Sequence, residues 1–160
     1  VVDVPPTATY PIVADPNWTY SLRVFVGRTT LSKIWNELHR CYNCNFPVNG
    51  APKAFPSLNQ TLPLSLYGIG NFKCKLGSKW YIPERSQAGF QYIAMPGHID
   101  GAGSVINFEF YLRPGDNNYY LHVSALVKKD FALGNATYKA SAYPTWMKFA
   151  SNVRYNINAG

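Results

Sequence analysis

From Ser104 to Arg113 the side chains alternate, with Ile106, Phe108, Phe110 and Leu112 on one side and Val105, Asn107, Glu109 and Tyr111 on the other. A period of two puts successive side chains on opposite faces of an extended chain, whereas a helix needs a period of 3.6. Pro114-Gly115-Asp116-Asn117 follows, a run that favours a tight turn, and Tyr119 to Val127 then returns as the hairpin partner. The chain therefore builds an antiparallel hairpin with one apolar face, and the remaining elements have to cover that face.

Further strands are readable on both sides of this hairpin. Trp18, Tyr20, Leu22, Val24 and Val26 alternate with Thr19, Ser21, Arg23 and Phe25, which predicts a first strand. Gly70 to Leu76 turns Phe72, Cys74 and Leu76 inward and Lys73 and Lys75 outward. Lys79 to Ile82 reads as a separate short strand closed by Pro83, and Phe90 to Met95 as the next, ending at Pro96-Gly97.

Two helices are expected. After Gly27, Thr29 or Thr30 can cap a helix in which Leu31, Ile34, Trp35 and Leu38 form one stripe, leaving Lys33, Asn36 and Glu37 in water. At the other end, Pro144 suits a first helical turn, and Trp146, Phe149, Ala150, Val153 and Ile157 recur at helical spacing. An earlier helical stretch over Ala132 to Tyr143, kinked at Pro144, is the alternative start. Between Cys41 and Pro63 lie Pro47, Pro52, Pro56 and Pro63 among several asparagines, a long irregular segment of the kind that covers a site or carries function. Residues 1–17 are Pro-rich and aperiodic and read as an extended arm, so 18–160 is expected to be a single domain.

Composition narrows the class. With 160 residues, 47% hydrophobic and 16% aromatic, the chain can bury a core, which excludes a disordered protein. No stretch approaches the roughly 18 uninterrupted apolar residues of a membrane span. The Val1-Val2-Asp3-Val4 start, the low charge and the sequons at Asn17, Asn59 and Asn135 set the expectation of a secreted or extracytoplasmic protein. Of Cys41, Cys44 and Cys74, a disulfide from Cys41 or Cys44 to Cys74 with one thiol left over is expected. A zinc site using these three with His39 is the weaker alternative.

The order of elements resembles the START-like superfamily, an α+β helix-grip fold in which a curved antiparallel sheet wraps around a long C-terminal helix, with a short helix after strand one. The segment Gly89-Phe90-Gln91-Tyr92-Ile93-Ala94-Met95-Pro96-Gly97-His98-Ile99-Asp100-Gly101 is similar to that of an uncharacterised bacterial START-like family. Members of that family carry an aromatic strand, then Leu-Pro-Gly-His, then an acidic residue and Gly. The likeness continues through the final helix and covers roughly the C-terminal half. It departs at Ala102-Gly103-Ser104, where a second acidic residue is usual, and in the long Pro/Asn segment. The resemblance implies a cavity for a small apolar or aromatic molecule.

Three functions compete. The first is that of a secreted carrier or sensor binding such a molecule between sheet and helix, with Tyr92, Phe108, Phe110, His122 and Trp146 lining the site and His98 at its mouth. A dry cavity of ~300 Å³ would cost about 7 kcal/mol, so a large pocket must be wet, polar-lined, collapsed or occupied. The second is a secreted metal-independent ribonuclease or toxin using His98, His122 and Glu109 as acid and base, to which the net charge of +7 is suited. The dispersal of the basic residues along the chain argues against a nucleic-acid groove, so binding rather than catalysis is expected. The third is a surface interaction protein acting through residues 41–63. Scattered carboxylates and the lack of a phosphate-binding Gly-rich loop point to no metal and no cofactor.

Overall fold

The computed structural model describes residues 18–66, 70–95, 103–128 and 135–160. The expected arm at 1–17 and the segment 96–102, with His98 and Asp100, lie outside the described residues. Among the described residues there are six strands: β1 (Trp18–Gly27), β2 (Thr61–Leu66), β3 (Gly70–Ile82), β4 (Gln87–Ala94), β5 (Val105–Leu112) and β6 (Tyr119–Val127). They form one antiparallel sheet in the order β1-β6-β5-β4-β3-β2. From β2 to β6 neighbours in sequence are neighbours in space, and β1 closes onto the free side of β6. The described residues also form two α-helices, α1 (Leu31–Arg40) and α2 (Asn135–Asn156).

The inner face of the sheet is the one the alternation assigns. β6 runs buried and half-buried by turns, with Leu121, Val123 and Val127 turned inward. Phe108 and Phe110 of β5 and Phe90 and Tyr92 of β4 are buried on that same face. Trp146, Phe149, Ala150 and Val153 of α2 cover them, in the stripe that the helical spacing predicts. This is a curved sheet gripping a C-terminal helix. Helix α1 begins where Thr30 accepts a hydrogen bond from the Lys33 N–H, and buries Leu31, Ile34 and Leu38.

Several expectations are corrected by packing. Lys79 to Ile82 is not a separate strand: β3 continues through Gly77, which sits as an extra residue between the pairs Leu76 with Tyr92 and Ser78 with Gln91. A bulge of this kind bends a strand without ending it. Thr61 to Pro63, assigned to the irregular segment, are the first half of strand β2, which runs on to Leu66. Pro63 is tolerated there because β2 is a sheet edge, where one side of the strand needs no partner. Helix α2 starts at Asn135 and carries Pro144 in its interior rather than in its first turn. Glu37, expected in water, is buried.

The cysteine pairing also differs. The disulfide joins Cys41 to Cys44, whose Cα atoms are 5.3 Å apart, and Cys74 is buried on β3 outside it. Cys41 closes the C-terminus of α1 by donating its N–H to the Glu37 carbonyl, and the chain then makes a 3₁₀ turn over Tyr42–Cys44. That turn brings the two sulfurs together before the chain reaches β3. Among the described residues, no helix is long and apolar enough to cross a membrane.

Candidate functional site

The segment that follows α1 does not arch over the surface. Phe46 points into the space between the sheet and α2, Tyr42 and Phe55 pack beside it against Phe90 of β4, and all three are buried. The Phe46 ring lies 5.4 Å from that of Phe108, 5.2 Å from Phe149, 5.8 Å from Trp146 and 5.8 Å from Tyr92. Tyr42 lies 5.0 Å from Phe55 and 5.7 Å from Phe90. Most of these pairs are edge-on or tilted, the geometry in which the positive rim of one ring meets the negative face of the next.

A polar latch holds this segment in place. The Glu37 carboxylate accepts two hydrogen bonds from the Arg40 guanidinium, at 2.8 and 2.7 Å, and one from the Asn45 amide at 2.8 Å. Arg40, foremost, and Asn45 hold the Glu37 carboxyl below its ordinary value, while burial opposes them. Asn45 is itself buried; its amide also donates to the Cys41 carbonyl, and its own carbonyl accepts from Asn152 of α2. Asn156 donates to the Asn45 side-chain oxygen at 3.0 Å. The latch thus ties the segment to both helices, with its buried polar atoms hydrogen-bonded as a low-dielectric site demands.

Among the described residues, the interior beneath α2 contains few polar groups. The hydroxyls of Tyr42 and Tyr92 lie 2.8 Å apart, and the Trp146 indole N–H donates to the Tyr20 hydroxyl at 3.2 Å. Burial pushes both phenols of the first pair above their usual range, so they stay neutral and can donate as well as accept. Tyr92, Phe108, Phe110 and Trp146, named as lining residues from the sequence, are all buried here. His122 is not. It sits on the outward face of β6, between Arg23 of β1 and Glu109 of β5, with its pKa lowered by burial and by Arg23. His39 offers its Nδ1 to the Trp35 carbonyl at 2.8 Å and packs against Phe55.

No family model matches the sequence, and no curated protein matches it. Solved structures do. A Nitrosospira multiformis protein is similar over 89% of this chain and 96% of its own, with a TM-score of 0.53 at 12% identity. A Mesorhizobium loti protein covers 88% and 97%, with a TM-score of 0.52 at 14% identity. The ginseng major latex-like protein 151 from Panax ginseng covers 88% and 97%, with a TM-score of 0.51 at 9% identity. The chain has the START-like helix-grip fold. At such identities the likeness carries the fold and leaves the chemistry to the residues.

In this helix-grip fold the space beneath the C-terminal helix is occupied by the chain's own aromatic side chains. Tyr42, Phe46 and Phe55 are residues that the sequence reading did not select. The only signal was their aromatic character in a segment otherwise rich in Pro and Asn.

Proposed function

We propose that the chain binds a small apolar or aromatic molecule between the sheet and α2, as a secreted carrier or sensor. The observation that carries this reading is that aromatic side chains from an irregular segment, rather than from the sheet or α2, fill the centre of that space. The segment is fastened by the Glu37–Asn45 latch, by the Tyr42–Tyr92 hydroxyl pair and by backbone bonds at Asn49 and Asn59, but not by the continuous ladder of a strand or a helix, and so can open locally at lower cost than either. Its departure would uncover Phe90, Tyr92, Phe108 and Trp146, together with the Tyr92 hydroxyl and the Trp146 indole N–H held by Tyr20 as its few polar groups, the composition of a small-molecule pocket. His98, just beyond the end of β4, is the residue proposed for the mouth.

Native mass spectrometry of protein purified from its own source, followed by denaturation and identification of what is released, tests this. A stoichiometric apolar molecule is expected. A bare mass, together with failure of the protein to take up an apolar fluorescent probe, overturns the reading.

A further inference from the structure

The outward face of the sheet carries a second set of side chains that the interior reading does not use. Arg23, His122 and Glu109 stand opposite one another on β1, β6 and β5, each the register partner of the next. The row continues through Gly89 of β4 to Trp80 of β3, and the Trp80 indole N–H reaches back over Gly89 to donate to Glu109 Oε2 at 3.0 Å. That bond occupies one carboxylate oxygen and fixes the direction of the other. Beside this row lies an aromatic one, where Phe25, Tyr120 and Tyr111 are likewise register partners. Tyr120 and Tyr111 stack at 6.0 Å, and Phe25 meets Tyr120 edge-on at 5.6 Å.

Arginines distant in sequence converge on these rings. The guanidinium of Arg154 lies 4.7 Å from the Phe25 ring, that of Arg113 4.4 Å from Tyr120, and that of Arg23 5.1 Å from Tyr111. Arg113 is paired with Asp116, which also accepts from the Tyr120 hydroxyl, so Arg23 and Arg154 are the cations beside these rings that suit a strand of nucleotides, whose bases stack and whose phosphates need counter-charge. On the other side of the row, Ser21, Ser124 and Asn107 border a groove of about 530 Å³ that runs on to Tyr20 and to Tyr143 of α2. Within one patch there are thus a carboxylate, an imidazole, a guanidinium, stacking surfaces and room for a chain to lie.

We propose that this face binds single-stranded RNA and cleaves it by transesterification, with Glu109 as general base, His122 as general acid and Arg23 as the phosphate ligand. Glu109 removes the proton of a ribose 2′-hydroxyl, and the 2′ oxygen attacks the adjacent phosphorus. The P–O2′ bond forms as the P–O5′ bond breaks, and the leaving 5′ oxygen takes its proton from the His122 imidazolium. The products are a 2′,3′-cyclic phosphate and a 5′-hydroxyl; proton exchange with water restores both side chains. Arg23 offsets the charge that develops on the non-bridging oxygens. No metal or cofactor enters the balance. His122 is faced by Arg23, Glu109 and Tyr111, and because the acid must be protonated, the rate falls as pH rises through its lowered pKa.

The full chain is incubated with a fluorogenic single-stranded oligoribonucleotide and with its 2′-deoxy counterpart. Cleavage of the ribonucleotide alone, yielding a cyclic phosphate, is expected, with a loss of about 100-fold or more in Glu109→Gln and His122→Asn. Both changes lie on the outward face, and thermal unfolding checks that the variants are folded. Tyr155→Ala, at an 81% exposed position on α2 away from this row, should cleave like the parent. Lack of cleavage by the folded parent, RNA binding without cleavage, or equal cleavage by the two site variants, as a contaminating nuclease would give, each overturns the proposal. None of these outcomes bears on the interior pocket, which lies on the opposite face of the sheet.

Discussion

The hydroxyl of Tyr42 lies 2.8 Å from that of Tyr92, joining the segment after α1 to the middle of β4 across fifty residues of sequence. Each phenol is the other's hydrogen-bond partner in a surrounding of aromatic rings, with the Cys74 thiol close enough to raise both pKa values further. In water the two groups would lose little by separating, but in this interior each depends on the other.

Removing one hydroxyl should therefore cost more than removing both. Tyr42→Phe or Tyr92→Phe alone leaves a buried hydroxyl without its partner, at about 1–3 kcal/mol, whereas the double variant leaves none. Urea unfolding of the four proteins gives the coupling directly. Purely additive losses would show that the pair is not a unit.

The disulfide makes a different prediction. A bridge between Cys41 and Cys44 closes a very short loop, for which the chain-entropy estimate is about 2 kcal/mol. Peptide mapping without reduction should find Cys41 linked to Cys44, and Cys74 should react with an alkylating agent only after unfolding, since it is buried. A linked peptide containing Cys74 would restore the pairing expected from the sequence.

Glu37 sets the acid limit of the latch. Its folded pKa lies below the ordinary value of 4.5, chiefly through the Arg40 hydrogen bonds, so its contribution is fully present above that value and is lost as pH falls through the lowered one. Glu37→Gln should cost about 1–2 kcal/mol near neutral pH, a figure reduced because Arg40 is largely exposed. The unfolding curves of parent and variant should converge in acid. A difference that persists below the folded pKa would mean that Asn45 packing, rather than the carboxylate charge, holds the segment.

What the sequence made legible follows from periodicity. The Ile106 to Leu112 and Leu121 to Val127 alternations and the Trp146 to Val153 stripe each report on a single element, and each holds in the fold. Strand β2 was hidden by Pro63, whose missing N–H argues against a strand unless its edge position is known. The burial of Tyr42, Phe46 and Phe55 leaves no periodic trace, because an irregular segment presents its side chains at no fixed spacing. The arginines at 23, 113 and 154 looked dispersed because sequence distance hides sheet register; only the neighbouring positions of β1 and β6, the turn before β6 and the end of α2 bring them together. His122 was named for the lining although the alternation along β6, readable within that one strand, turns it away from Leu121 and Val123.

Gly89 lies in the middle of the outward row, and its replacement tests how closely Trp80 and β5 pack over it. It pairs with Trp80 on one side and Glu109 on the other, and a Cβ there would collide with the Phe108 carbonyl and lie 2.7 Å from Trp80 Cζ2. Neither the backbone nor the indole can yield without moving β5 or breaking the bond to Glu109. Gly89→Ala should therefore destabilise the fold by about 1–3 kcal/mol, as overpacking of a close contact does. It should also shift the Trp80 fluorescence as the indole leaves the carboxylate; Trp80→Phe, which removes that reporter without adding a Cβ, identifies its share of the signal among the four tryptophans. An unchanged stability would place the indole elsewhere than over Gly89, and the orientation of Glu109 would then need another cause.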